Sequence, residues 1–452
     1  MNETETVLIG CAAGFAGDRL DAGEAILDLF ETRAEPRWLM YECLAERTLA
    51  LAQLAKAQGG VGYSAYLDRY LKPILPRAMS AGVRIVSNLG AADPLAGARR
   101  VHELAAEAGL TPPRVAAVLG DDLRALMSDE EIRALPLMDG AHVIHRPIIA
   151  ANAYLGAGIV AKAAATGADV ILTGRTTDSA LALGPLMHEY GWATGDYRLM
   201  ATGVICGHLL ECGGQVTGAY FADPGFKDVP DLAHVGFPVA EVSAGGRVVI
   251  GKPPNTGGCV TRATVTEQLL YEMHDPAAYL TPDAAADITA VKLAEDGPDR
   301  IAVEAVRGAP PPGTLKATVS VENGWLGEAE MSYLGPGARA RAALAAEVVE
   351  TRLSEAGVED RLGVELLGAG GGFGRGTVRE WRESEDIRLR LALISDDKAA
   401  AQLLIDELQA LYCSGPAAGG GFRSHLTAQM ATASVLVPRE VVERSARVEV
   451  LS

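Results

Sequence analysis

The chain has 452 residues, 49% of them hydrophobic and 22% charged, with a formal net charge of −18. That length buries core enough for roughly two to three ordinary domains, and so acidic a surface repels nucleic acid and anionic membrane, so neither is expected as a partner. The six cysteines form no Cys-x-x-Cys pair, the N-terminus MNETETVLIG lacks a basic leader, and the longest weakly polar run, Ile148 to Val160, is too short to span a bilayer; a cytoplasmic protein without a disulfide framework is expected.

In chain order, Val7-Leu8-Ile9 reads as a strand, followed by a glycine-rich turn through Gly10, Gly14, Gly17, Asp18 and Arg19 and a helix to about Phe30. Such a junction is a generic anion site, because free backbone N–H groups face the turn, but its spacing matches no nucleotide motif. Trp38 to Tyr41 is a second strand with Glu42 at its end, where a general base could sit, and Arg47 follows about one helical turn on. A helix over 64–81 leads to a third strand, Val83 to Ser87, ending at Asn88, and Asp93-Pro94 reads as the start of the next helix. Val115 to Leu119 is a fourth strand, with Asp121 and Asp122 behind it, and Ala141 to Ile149 reads as a fifth carrying His142, His145 and Arg146.

The sixth unit, Gly167 to Trp192, is the most suggestive. Val170 to Leu172 is a buried strand, Gly174-Arg175-Thr176-Thr177-Asp178 a polar turn, and Ser179 to His188 a helix. In an open α/β sheet ligands bind outside the carboxyl ends of the strands, which is where Arg175, Thr177 and Asp178 would lie. Residues 198–212 read as a helix whose Cys206, His208, Glu211 and Cys212 read as a buried His and Cys at a glycine-capped end rather than a zinc site.

Later residues have a mixed pattern. Val239–Val242 and Val248–Ile250 read as a hairpin, and Lys252-Pro253-Pro254-Asn255-Thr256-Gly257-Gly258 as a loop able to present donors to an anion. Pairs of strands are expected at 288–293 with 301–305 and at 315–321 with 325–333, helices at 338–356 and 397–412, and strands at 362–367 and 387–394. Glycine clusters at 368–376 and 415–421 complete the chain, the second as a loop meeting the site or a subunit interface. The expected fold is α/β: a mainly parallel sheet with alternating helices over 1–215, then a mixed α+β domain over 216–452.

The segments IGCAAGFAGDR (9–19), YECLAERTLA (41–50), NLGAADP (88–94), TGADVILTGRTTDSALALGP (166–185), GHLLECGGQVTGAYFADPG (207–225) and KPPNTGGCVT (252–261) resemble the acyclic terpene utilisation protein A (AtuA) family. The resemblance covers most of the chain. It implies a link to bacterial breakdown of citronellol-type terpenes through CoA thioesters and branched acids. Many family members carry a small additional C-terminal domain; its absence up to Ser452 implies a separate small partner subunit. A homo-oligomer is expected.

The leading expectation is a lyase, of hydratase or dehydratase type, acting on a small carboxylate or CoA thioester without a redox cofactor. Glu42, Asp178 and Asp18 are the candidate catalytic carboxylates. Arg19, Arg47, Asn88, Arg175, Thr177, Lys252, Thr256, Gly257 and Gly258 are the candidate substrate-binding residues, since an enolate needs a positive or donor-rich site. Two alternatives stand beside it: a non-catalytic CoA-ester-binding subunit of a degradation complex, and an enzyme using Mg2+ held by Asp18, Glu42, Asp121 and Asp178.

Overall fold

The computed structural model describes residues 6–360, 362–368 and 386–452. Five short apolar runs form its centre: β1 (Thr6–Cys11), β2 (Arg37–Tyr41), β3 (Arg84–Ser87), β4 (Val115–Leu119) and β6 (Val170–Thr173). They are parallel, in the spatial order β1-β2-β3-β6-β4. Strands covered on both faces read as continuous hydrophobic runs, which is why they are legible in the sequence.

Between these strands come α1 (Ala22–Glu31), α2 (Glu46–Ala57), α3 (Leu67–Ala81), α4 (Pro94–Glu107), α5 (Asp129–Arg133), α6 (Ala157–Ala165) and α7 (Ala180–Tyr190), with α8 (Tyr197–Leu210) after them. Ile26, Phe30, Leu71, Ile74, Val101 and Leu104 from α1, α3 and α4 share one core with Leu8, Leu39, Ile85 and Leu172 of the sheet. Helices α6 and α7 pack closely together, α6 against β4 and β6 and α7 against β1 and β2.

Residues 141–146 do not form the expected fifth strand. They are turns, and β5 is Ile148–Ala153, which joins not the parallel sheet but the strand Thr314–Leu334. The parallel sheet is instead extended by antiparallel strands: β7 (Val239–Ser243), β8 (Val248–Gly251) and the pair 301–304 and 292–295 beyond β1, and Arg447–Leu451 beside β4. The expected hairpin of 315–321 with 325–333 is one unbroken strand, Thr314–Leu334. Its Gly324, at positive φ, lies against Ser395 rather than turning the chain back.

Two compact units result. One holds 1–144, 148–320 and 432–452; the other holds 145–147 and 321–431. The division does not fall near 215, because β7 pairs with β1 and the C-terminal strand pairs with β4, which returns late sequence to the first sheet. The second unit runs strand, helix, strand, strand, helix, strand, with sheet order 362–368, 386–395, 314–334, 419–438. That is the split βαβ arrangement. Met331, Tyr333, Leu389 and Leu391 face Ala342, Val349, Leu404 and Leu408 of its helices, while Arg390 pairs with Glu328 at 2.6 Å among the half-exposed residues between them. Of the two glycine clusters, residues 369–376 lie outside the described residues. Gly419 to Gly421 open the strand Gly419–Pro438, and a Cβ on Gly419 would meet the Met331 sulfur at 2.8 Å. Among the described residues no helix is long and apolar enough to cross a membrane.

Helix α8 is pressed onto the start of α7 through Gly207, where a Cβ would lie 2.5 Å from the Ser179 Cα. Gly207→Ala must therefore displace backbone, and a loss of about 1–3 kcal/mol is expected in urea denaturation. Gly158→Ala, within α6 and with nothing inside 4 Å of its Cβ, is the control. It should be neutral or stabilising by a few tenths to about 1 kcal/mol.

Candidate active site

The carboxyl ends of the parallel strands open onto a cavity of about 910 Å³ in the first unit. Three segments meet there by close backbone contact. A Cβ on Gly14 would lie 2.4 Å from the Cys212 carbonyl carbon, and one on Gly213, at φ +54°, would lie 3.0 Å from the Gly14 nitrogen. Together with Gly207 against Ser179, these glycines bring the turn after β1, the turn after β6 and the end of α8 to the cavity wall.

Arg175 is the centre of the site. It is 2% exposed. Its Nε donates to the Thr176 carbonyl at 2.8 Å, Nη1 to the Leu44 carbonyl and Nη2 to Asp178 Oδ1, while its guanidinium lies 4.5 Å over the Tyr154 ring. Its backbone N–H donates to Asp121 Oδ2 at 2.9 Å, an oxygen also held by Asn152 Nδ2 at 2.8 Å. An arginine committed in this way acts as a fixed positive charge rather than an open fork for an incoming anion.

Glu42 follows β2 and is buried. Its Oε1 accepts from the Leu44 N–H at 2.9 Å and Asn88 Nδ2 at 2.8 Å, leaving Oε2 for the cavity. Burial raises its pKa; Arg175 and the two hydrogen bonds oppose that without cancelling it, and Glu211 adds to the rise. Asp178 behaves alike. Burial raises its carboxyl well above the usual range against the pull of Arg175, with Glu42 and Glu211 pushing further. Its side chain is 36% open and lines the cavity. Thr177 lines the cavity, and its hydroxyl has no hydrogen-bond partner among the described residues.

Other expected residues stand elsewhere. Asp18 lines the cavity, yet both its oxygens accept backbone N–H groups, of Gly14 at 2.9 Å and Arg19 at 2.7 Å, as a turn-forming carboxylate does. Arg19 lines it too, tied to Asp21 at 2.6 Å and to the carbonyls of Ala233 and Val235. Asn88 is buried behind Glu42 and positions it, with Oδ1 accepting from the Cys43 N–H. Arg47 is exposed on α2 and does not line the cavity.

The 252–258 loop also stays out of the cavity wall, and its donors are already engaged within the loop and with neighbouring segments. Lys252 Nζ donates to the Thr256 carbonyl at 2.8 Å and lies 3.3 Å from Asp299; Thr256 Oγ1 donates to the Pro253 carbonyl; the N–H groups of Gly257 and Gly258 donate to His234 and Pro230. Cys11 is buried and its Sγ–H donates to the Ala13 carbonyl, so burial pushes the thiol up and disfavours a thiolate. Asp121 does not line the cavity with Asp18, Glu42 and Asp178, and among the described residues no three His, Cys, Asp or Glu side chains form a cation-ligand cluster.

Several cavity residues have no local sequence signal. Tyr154 donates to Glu46 at 2.5 Å, and Lys316 Nζ lies 3.9 Å from the same carboxylate. Burial works to raise Glu46, but the Tyr154 hydrogen bond and the charges of Arg175 and Lys316 outweigh it and hold it low. Glu211 faces the cavity from the end of α8. Phe15, Met138, Tyr220 and Leu280, each more than half exposed, also line it. In all, the carboxylates Asp18, Glu42, Glu46, Asp178, Glu211 and Glu272 face the cations Arg19, Arg175 and Lys316.

The structure is thus an α/β protein with a carboxylate-rich cavity at its strand ends. Over residues 7–448 the chain matches the family described as Acyclic terpene utilisation family protein AtuA, and it belongs to that family, which links it to acyclic terpene utilisation. No curated protein and no solved structure matches it.

Asp121 offers a test of the electrostatics. Burial pushes its pKa up to about 6, above the ~3.9 of a free aspartate. As pH rises from about 4 to 6 the unfolded chain gives up this proton first, so stability falls through that window, by on the order of 2 kcal/mol for this group. Asp121→Asn should flatten the fall in urea denaturation between pH 4.5 and 7. An unchanged slope would assign the dependence to another group.

Proposed function

We propose that the protein is an acid–base lyase of acyl-CoA or branched-acid catabolism, which adds water to, or removes it from, an acyl thioester. The observation that carries this is the set of carboxylates in one cavity around a single buried guanidinium, Glu42, Asp178 and Glu211, each with one oxygen held by the protein. Dehydration needs a base for the α-proton and an acid for the departing hydroxyl. Glu42, with its pKa raised by burial, keeps its proton to higher pH than a free glutamate and suits the acid.

The charge balance bears on the substrate. Six carboxylates against three cations, two of them paired at close range and Lys316 lying 3.9 Å from Glu46, disfavour a bare carboxylate at the reacting carbon. A neutral thioester carbonyl fits better. Arg175 acts from behind by fixing Asp178 and the field. Lys316, 42% exposed at its side chain, remains for an anionic portion of the ligand. The half-exposed Phe15, Met138, Tyr220 and Leu280 suit a branched apolar acyl chain, in keeping with the family's link to terpenes.

The test is turnover of 3-hydroxy-3-methylbutyryl-CoA and its free acid, followed as formation of the unsaturated acyl product. Wild-type protein should turn over the thioester in preference to the acid. Glu42→Gln should lower kcat by about 10²–10⁴-fold with KM within a few-fold. Failure of the wild type on every branched 3-hydroxyacyl thioester tried would overturn the reading.

A further inference from the structure

Helix α8 ends in a buried pair whose chemistry the acid role of Glu42 leaves unused. His208 is 1% exposed, and its Nδ1 lies 3.0 Å from Glu211 Oε1. A carboxylate can only accept, so Nδ1 carries the hydrogen. The His208 ring packs 5.3 Å from Tyr279, another cavity residue, and its backbone carbonyl accepts from Gln268 Nε2 at 3.1 Å. His208 Nε2 has no hydrogen-bond partner among the described residues. Burial alone would lower this imidazole, but Glu211, helped by the carbonyls of Leu269 and Gln268, more than reverses that and raises it.

Glu211 is thus fixed at one oxygen by the His208 ring, which leaves its other oxygen, Oε2, for the cavity it lines. Its place is set by packing. The Gly207 contact with Ser179 puts the end of α8 beside the Asp178 turn, and the Gly14 and Gly213 contacts lock the following residues to the turn after β1.

We infer that Glu211 is the general base of this site and that His208 is its positioning residue, holding the carboxylate aimed at the substrate's α-carbon. This rests on the lyase reading given above. Glu211 Oε2 takes the α-proton, and the C–H electron pair moves into the thioester as an enolate. The enolate forms the carbon–carbon double bond and expels the β-hydroxyl, which takes the proton of Glu42 and leaves as water. Glu211 then holds the proton that Glu42 lost, and exchange through solvent resets the pair. The substrate loses one water in all, and no oxidant or reductant is needed. Asp178, paired with Arg175, stays out of the transfer.

The base and acid steps separate experimentally. In deuterium oxide the α-proton of 3-hydroxy-3-methylbutyryl-CoA should exchange on the wild-type protein, read by mass spectrometry. Glu211→Gln should slow exchange by about 10²–10⁴-fold, with KM within a few-fold and an unchanged circular dichroism spectrum. Glu42→Gln should lower dehydration more than exchange. His208→Gln, which keeps a neutral donor to Glu211, should lower kcat by about tenfold with little change in KM, and His208→Ala by more. Should Glu211→Gln fold poorly, Glu211→Asp, which keeps the charge but withdraws it, should fold and still lose most of the exchange. Wild-type exchange rates in Glu211→Gln would overturn the assignment and leave the lyase reading standing. A wild type that neither exchanges nor dehydrates the probe would overturn both.

Discussion

A single buried positive charge organises this protein. Arg175 lies under the cavity floor, where an unpaired guanidinium would cost several kcal/mol. The structure meets that cost with Asp178, two backbone carbonyls and the face of Tyr154, while Asp121 holds the adjacent backbone N–H. Leu44, Asp121 and Tyr154 come from three other segments, so placing this one charge ties together the turns after β2, β4 and β6 and the residues after β5. The same charge tempers the cavity carboxylates. Burial raises Glu42 and Asp178, and Arg175 is the largest influence opposing it in both.

That balance gives the site its chemical character. Burial disfavours the charged forms of Glu42 and Asp178, which suits them to the acid–base role proposed for the site. The anchoring differs from group to group. Glu42 is held by neutral donors, Asp178 by a permanent cation and Glu211 by an imidazole. Different surroundings are how a site can assign acid and base roles to similar groups.

Much of this was legible in the sequence. Glu42, Asn88 and Arg175 could be located because each follows an apolar run short enough to be a strand, and strand ends in a parallel sheet converge. The readings that did not hold share a cause. Lys252, Thr256, Gly257 and Gly258 form a donor-rich loop, but Gly257 packs so close to the Asp231 carbonyl that a Cβ would lie 1.9 Å from it, and the loop's donors are taken by its own carbonyls and those of His234 and Pro230. Arg47 follows a strand end yet points to solvent from α2. The residue type was informative; whether its donors remained free was a matter of contacts with distant segments.

By itself, the amino-acid sequence determined the alternation of strand and helix, the polar groups at the strand ends and membership of the family, because these rest on local pattern and contiguous motifs. Tertiary structure alone decided which late strands rejoin the first sheet, how residues 321–431 separate as a split βαβ unit, and which carboxylates share the cavity. Glu211 shows why. The sequence reads its neighbourhood as a buried, glycine-capped helix end, and it reaches the cavity because Gly14, Gly207 and Gly213 let backbones approach where any side chain would hold them apart. Such contacts depend on the shapes of segments far apart in the chain, and periodicity carries no record of them.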